Sequence, residues 1–400
     1  MKIPEISIIV PAYNADKYLN DCLESIKFQT FTDYEVIIVN DGSCDNTAKI
    51  ANKFCISDPR FKLINKEKNE GLVAARKTGI NIATGKYIGY VDADDWIDPD
   101  MYMDLYHKIE KYSCDFVSSG IIRQFADKQV HVGNSIADGY YSADDYINNV
   151  LWNMLYHGIF YDMGIRINLV NKLFLREKFL SFQNSVPEDI KNGEDVATFC
   201  SFASQVSSCW ITNKAYYHYR QQPESMTKEI ESKDIVIGRA KSLYRYLSRT
   251  FNINAISVRL NEELRFFIAY LLVQKCCSVY DTQTELLKAF GTVDKGSKIV
   301  VYGAGNFGKQ IWELVNQYGF EAIQVDRNAA FYIEQGLDVH YPEDIEMFKP
   351  DIVLIALIDE KVASNVRKNL MERNIDPQII RWLDVDYISS KKILERFGFR

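Results

Sequence analysis

An α/β fold is predicted by three features of this sequence: short β-branched runs recur over the first hundred residues, helix-patterned stretches separate them, and the runs end in polar turns. Ile6 to Val10 is the first strand, and the stretch holding Tyr18 to Leu23 and Ile26 is the helix after it. Glu35 to Val39 follows as a strand, Ala48 to Phe54 as a helix, Phe61 to Ile64 as a strand, Leu72 to Ala83 as a helix and Tyr87 to Val91 as a fourth strand. This alternation favours a mostly parallel sheet with helices on both faces. Past about residue 100 the rhythm loosens into helices and aromatic-rich stretches, including Asp144 to Tyr156 and Asn171 to Phe174. Ser232 to Tyr280 reads as helical, with Leu243, Leu247, Leu260, Leu264 and Leu271 among its apolar positions. Gly291 to Ser297 has linker composition, and Lys298 to Tyr302 opens a second strand and helix series. The predicted organisation is thus an N-terminal sheet domain over residues 1–228, a helical extension over 229–295 and a C-terminal domain over 296–400.

Composition bounds the function. Hydrophobic residues make up 47% of the 400 residues and charged residues 25%, an ordinary globular balance with material for more than one core. A net charge of -7 argues against nucleic acid as the main partner. Eight cysteines show no metal-ligand spacing, and the closest pair, Cys276 and Cys277, is adjacent and badly placed for a bridge, so reduced thiols in a cytoplasmic protein are expected. No signal-like or membrane-spanning run is present; Phe266 to Val273 is the most apolar long segment. The chain can visit a membrane surface without crossing it. Self-association is left open.

In parallel α/β sheets ligands gather beyond the carboxyl ends of the strands. The turns there are Pro11-Ala12-Tyr13-Asn14, Asn40-Asp41-Gly42-Ser43 and Asp92-Ala93-Asp94-Asp95. Three acids in four positions repel one another unless a cation or solvent relieves them. Mg2+ or Mn2+ takes oxygen ligands and bridges one or two carboxylates to a diphosphate. The same acids also fit a solvated turn ahead of a helix starting at Asp98-Pro99-Asp100. Asp41 at its strand end can face the polar edge of a base, with Pro11 to Asn14 offering backbone groups and an aromatic face. Asn69-Glu70-Gly71 precedes a helix whose Arg76 can pair with a phosphate or an acid, or sit on the surface.

Together, Val10 to Asn14, Asn40 to Ser43 with Asp45 and Thr47, Asn69 with Gly71 to Arg76, and Asp92-Ala93-Asp94-Asp95-Trp96 resemble the family-two glycosyltransferases of the GT-A fold. The order and spacing match over roughly the first hundred residues. The resemblance implies a base contact at Asp41, a place near ribose and diphosphate for Asp92, and metal ligation by Asp94. Asp95 would support the turn. Gly193-Glu194-Asp195 resembles the family's Glu-Asp pair at a helix start, which makes Asp195 the candidate general base; simple helix capping is the other reading. Tyr216 to Arg220 followed by Ser225-Met226-Thr227 looks like the segment that closes over the donor, with Arg220 as a diphosphate contact and His218 as a further metal ligand, or like a strand packed on the core. Trp96, Trp152 and Tyr156 are candidates for a sugar-stacking wall or for core. The implied activity is an inverting glycosyltransferase using a nucleotide-diphosphate sugar, UDP-sugar first, with Mg2+ or Mn2+, and a glycan or lipid-linked saccharide hydroxyl as acceptor. A sugar nucleotidyltransferase would carry a basic glycine-rich triphosphate loop, which is missing near the first strand. A silent nucleotide-binding subunit of a glycan-assembly complex is the non-enzymatic alternative.

In the last hundred residues Gly303, Gly305 and Gly308 follow a strand, and Asp326 ends the next one. That is the pattern of a Rossmann-like dinucleotide site, where glycines admit a pyrophosphate and the acid reaches a ribose hydroxyl. A nucleotide or nucleotide sugar is therefore a candidate ligand there, beside a structural or oligomerising role and redox catalysis.

Overall fold

The computed structural model of the chain describes residues 3–160, 162–191, 193–221, 233–252, 257–275 and 288–399. Ser225, Met226, Thr227 and the Cys276–Cys277 pair lie outside the described residues. The predicted α/β class is observed. Strands β1 (Ile6–Ala12), β2 (Tyr34–Asn40), β3 (Phe61–Asn65) and β4 (Tyr87–Tyr90) are parallel in the order β3-β2-β1-β4. Helices α1 (Leu19–Lys27), α2 (Thr47–Ser57) and α3 (Leu72–Ile82) connect them. Every residue of β1, β2 and β4 is buried, which is why they read as continuous apolar runs. The register sets Ala12 beside Asn40 and Asn40 beside Asn65, so the polar turns share one edge of the sheet. The Asn40 amide donates to Asn65 Oδ1 at 2.8 Å along that edge.

The elements that follow are β5 (Trp96–Ile97), α4 (Met101–Tyr112), β6 (Phe116–Gln124), β7 (Gln129–Val132), β8 (Gly139–Ser142), α5 (Ala143–Asn149), β9 (Lys172–Leu175), α6 (Arg176–Ser185), α7 (Glu194–Ala203) and β10 (Ser208–Arg220). They extend the sheet from β4 through β9, β6 and β10 to β5. The Asn171 to Phe174 run is mostly strand: β9 lies antiparallel to both β4 and β6 and joins them. Tyr216 to Arg220 is the end of the long strand β10, paired to β6 on one side and antiparallel to β5 on the other. Phe174 and Phe179 stack at 4.0 Å, and Phe202 meets both edge-on. This aromatic cluster fixes α6 and α7 to the sheet and thereby sets where α7 begins.

Glu35 is a buried carboxylate within β2, with a side chain 5% exposed. Ser7 Oγ donates to it at 2.6 Å, the Thr84 amide and hydroxyl donate at 2.8 and 2.7 Å, and Lys62 Nζ at 2.6 Å. Burial alone would raise its pKa; the hydrogen bonds from Lys62, Ser7 and Thr84 overcome that and bring it down from 4.5 to about 2. A depressed folded pKa contributes stability that is complete above 4.5 and disappears as pH falls toward 2. Glu35→Gln is therefore expected to cost roughly 2–3 kcal/mol at neutral pH and to flatten the acid limb of the stability curve. Urea denaturation at pH 7 and pH 3 checks it: an equal loss at both would contradict the linkage.

The chain divides into two compact units: Met1–Met154 with Met163–Ile230 and Tyr246–Leu260, and Leu155–Asp162 with Glu231–Arg245 and Asn261–Arg400. The 229–295 stretch, with α8 (Lys233–Phe251) and α9 (Ser257–Lys275), is shared between them. The second unit carries β11 (Lys298–Tyr302), α10 (Asn306–Gln317), β12 (Glu321–Val325), a four-residue strand β13 (Ile352–Ile355) and β14 (Ile380–Arg381), all parallel in the order β12-β11-β13-β14. A Cβ at Gly308 would collide with the Gly303 carbonyl oxygen, so this glycine lets α10 pack onto the turn. The Asp326 carboxylate accepts from the Ala304 and Asn328 amides at 2.9 and 2.8 Å. Its observed partners are thus turn amides, where the sequence pattern places a ribose hydroxyl. None of the six cysteines among the described residues is in a disulfide. No helix among the described residues is long and apolar enough to cross a membrane.

Candidate active site

Three turns meet at the carboxyl edge of β1 and β2. The Asn14 amide donates to Ser43 Oγ at 3.0 Å, and Asn14 Oδ1 accepts from the Cys44 amide at 2.9 Å. The Asp41 amide donates to the Ala12 carbonyl at 2.9 Å. Asp41 is buried; its carboxylate accepts from the Gly71 amide at 2.7 Å and pairs with Lys66 at 2.6 Å. It therefore ties β2 to the start of α3, and Asn69 Oδ1 accepts from the same Gly71 amide at 2.9 Å. Gly42 has φ +71°, and a Cβ there would collide with the Lys68 and Asn69 backbone. Gly71 has φ +93° and opens onto free space at the N-terminus of α3. Pro11 lies within β1, while the Tyr13 ring is 49% exposed on the rim. Asn14, Asp41, Ser43, Asn69 and Gly71 are thus tied to one another at this edge, while Arg76 reaches Asp92 in the acidic turn after β4.

Arg76 is buried in α3, 1% exposed, among acids that are far apart in sequence. Its Nη1 donates to Asp195 Oδ1 and lies 3.6 Å from Glu194, while Nη2 meets Asp92 Oδ1 at 3.2 Å. Of its three sequence readings, phosphate, acid or helix surface, the observed partners are acids and the side chain is buried. Burial opposes its charge, but Asp195, Asp92 and Glu194 hold its pKa above the ordinary arginine value.

The acidic turn after β4 is stitched by β10. Tyr217 Oη donates to Asp95 Oδ2 at 2.7 Å and accepts from the Asp92 amide at 3.1 Å. Asp95 Oδ1 accepts from the Arg220 amide at 2.8 Å, so both Asp95 oxygens serve the turn. Arg220 Nε donates to the Asp94 carbonyl at 2.9 Å, and its guanidinium lies 4.6 Å from both the Tyr18 and Trp96 ring centroids. Burial pushes the Asp92 carboxyl up to about 6 despite Arg76, and pushes Asp94 up as well. Asp95 is raised by burial and by Asp94 and Asp92. Burial is thus the main influence on all three carboxyls, opposed by Arg76 at Asp92 and by Arg220 at Asp94. His218, expected as a metal ligand, has its Nε2 on Asp98 at 2.9 Å and its ring stacked on Trp96 at 4.9 Å. Its observed partners are therefore not Asp92 and Asp94. Trp152 packs under Arg259, and Tyr156 stacks on Phe266 at 4.1 Å, so the polar and aromatic neighbours of these rings belong to the fold.

No group of three His, Cys, Asp or Glu side chains able to cage a metal occurs among the described residues. A divalent cation would have to complete its shell with water or a ligand's phosphates, the ordinary arrangement for Mg2+. The hard carboxylate oxygens of Asp92 and Asp94, two positions apart in one turn, fit that donor set.

Asp195 stands in the first turn of α7, after Gly193 at φ +136°. One oxygen is on Arg76, and the other accepts from the Leu169 amide at 3.3 Å. Its side chain remains 19% exposed. Glu194 accepts from the Gly193 amide at 3.0 Å and is raised by burial and by Asp195. Sequence reasoning misses Leu169 and Lys66 as partners of the two key carboxylates. Tyr217 stands in a run singled out by sequence, but without a role there.

Residues 7–174 match glycosyl transferase family 2. The chain is 30% identical to an uncharacterized glycosyltransferase, EpsJ of Bacillus subtilis, over 69% of this chain and 79% of that one. It is 37% identical to the Escherichia coli chondroitin synthase over 35% of this chain and 20% of that one. Among solved structures, Staphylococcus aureus TarS 1-349 in complex with UDP-GlcNAc superposes with a TM-score of 0.55 at 19% identity, covering 71% of this chain and 77% of that one. That likeness concerns the GT-A fold. With a relative of this identity and coverage beside the motif geometry, the chain belongs to glycosyl transferase family 2.

Proposed function

We propose that the chain is an inverting glycosyltransferase that moves a sugar from a nucleotide diphosphate to a hydroxyl of a glycan or lipid-linked saccharide, in polysaccharide or cell-surface glycan synthesis. One observation carries this reading: Arg76 bridges Asp92 of the strand-end acids to Asp195 at the head of α7. A donor-side acid and a candidate base thus face one guanidinium. Asp195 accepts the acceptor's hydroxyl proton on its Leu169-side oxygen as the acceptor oxygen bonds to the anomeric carbon and the bond to the diphosphate oxygen breaks. Arg76 and the Leu169 amide hold that carboxylate in place. Asp41, Asn14 and Ser43 frame the nucleoside edge, and Arg220 closes the acidic turn from the β10 side. Asp94, with Asp92, would hold Mg2+ or Mn2+, which when bound supplies positive charge to the leaving diphosphate.

TarS was solved with UDP-GlcNAc, so this is the first donor to try. Calorimetric titration of UDP should show Mn2+-dependent binding in the wild type and lose that dependence in Asp94→Ala. UDP affinity equal with and without Mn2+ in both proteins would remove the metal role. Transfer assays across UDP-, GDP- and dTDP-sugars identify the donor; no turnover with any, despite nucleotide binding, would favour a silent subunit.

A further inference from the structure

We propose that Lys172 is a positioning residue for the Asp195 base, acting through the 166–171 segment; this rests on the reading of Asp195 given above. Lys172 begins β9 and is completely buried. A lysine at such a place is costly unless its head group is matched. Here it is matched on every side. Nζ donates to the Arg166 carbonyl, to the Asn168 carbonyl at 2.6 Å and to Asn171 Oδ1 at 2.9 Å. Three oxygens for three N–H groups is the complement of an ammonium. Burial draws its pKa well down, and Asp195 draws it up.

The segment wrapped round this head group includes Leu169, whose amide donates to Asp195 Oδ2. The Lys172 amide in turn donates to the Leu169 carbonyl at 3.2 Å, closing the turn. Lys172 also touches the base's own helix: Nζ lies 4.5 Å from the ring centroid of Phe199, one turn beyond Asp195 on α7. The far side of the segment is anchored independently. Asn171 is bonded to the Ser119 backbone of β6, and the Arg166 amide donates to Asn134 Oδ1 at 2.8 Å. Lys172 is thus the internal tie of a loop whose other ties lead to the sheet. Its geometric output is the direction of one N–H bond toward the carboxylate oxygen left over by Arg76.

Without that tie the Leu169 amide is released, and the carboxylate gains freedom to rotate about its Arg76 contact. Small misplacements of a reacting group cost on the order of a hundredfold in rate. Lys172→Met keeps the side chain's length and apolar stem and removes all three donors. It is expected to lower kcat by about ten- to a hundredfold while donor KM and UDP affinity stay at wild-type values. Hydrogen exchange at the Leu169 amide should accelerate in the same variant. Should Lys172→Met fail to fold, replacing the 168–169 peptide link by an ester keeps the Lys172 side chain, deletes the Leu169 N–H and weakens the Asn168 carbonyl that Lys172 holds, and should give the same loss in kcat. Wild-type kcat in a folded variant, UDP affinity falling in step with kcat, or unchanged exchange at Leu169 overturns the proposal. Failure of the underlying reading has its own signature: Asp195→Asn turning over at the wild-type rate.

Discussion

Asp195→Asn should bind UDP as the wild type does and transfer sugar about a hundred- to ten-thousandfold more slowly. The substitution keeps shape and leaves an oxygen for the Leu169 amide, but removes the charge that accepts a proton. It also places an amide where Arg76 now meets a carboxylate. The edge proposed for the nucleoside, at Asp41, Asn14 and Ser43, is tied to β1, β2 and the start of α3, none of which contains Asp195. Its structure has no reason to follow the change. Parallel measurement of steady-state transfer and UDP calorimetry separates the two quantities. Retained turnover would remove Asp195 as the base, whereas joint loss of turnover and binding would make it a scaffold residue.

The largest stability effect is expected at Arg76. This cation is buried in α3 and faces Asp92, Glu194 and Asp195. Arg76→Met fits the apolar part of its path beside Tyr90 but leaves those acids without their shared counter-charge. Breaking a buried ion pair from one side costs about 3–5 kcal/mol. Denaturant unfolding should register a loss of that order, and the double variant Arg76→Met/Asp92→Asn should recover part of it, because one of the stranded charges is then gone. A double variant no more stable than the single one would show that the guanidinium acts through packing.

The legible and illegible parts of the molecule divide along a physical line. Strands β1 to β4 are readable because a strand buried on both faces is an uninterrupted apolar run, and the residue after it must sit at the sheet edge. Periodicity alone therefore puts Asn14, Asp41 and Asp92 at that edge. The pairings of β9 are not readable, since its antiparallel insertion between β4 and β6 leaves no mark on local periodicity. The partners of Arg76 are hidden for a related reason: Asp92 and Asp195 are 103 positions apart, and a single arginine on a helix has the same sequence appearance whether it faces water, phosphate or acid. Asp326 shows the converse. Its position after a strand is the one a ribose contact asks for, and its carboxylate accepts from the Asn328 amide of its own turn and from the Ala304 amide of the glycine turn 22 positions earlier, a pairing that local periodicity does not announce. The only in-sequence hint of Lys172 is a charge at the head of an aromatic run, which reads equally as a surface boundary.

At Gly42 two stretches of main chain touch with no side chain between them. Peptide groups are the same in every amino acid, so this contact offers substitution nothing to adjust short of displacing a whole turn. On the donor reading proposed above, adjustment is left to the side chains of the adjoining turn, among them Tyr13, which is 49% exposed. Substitutions aimed at donor preference have their room for manoeuvre at those side chains.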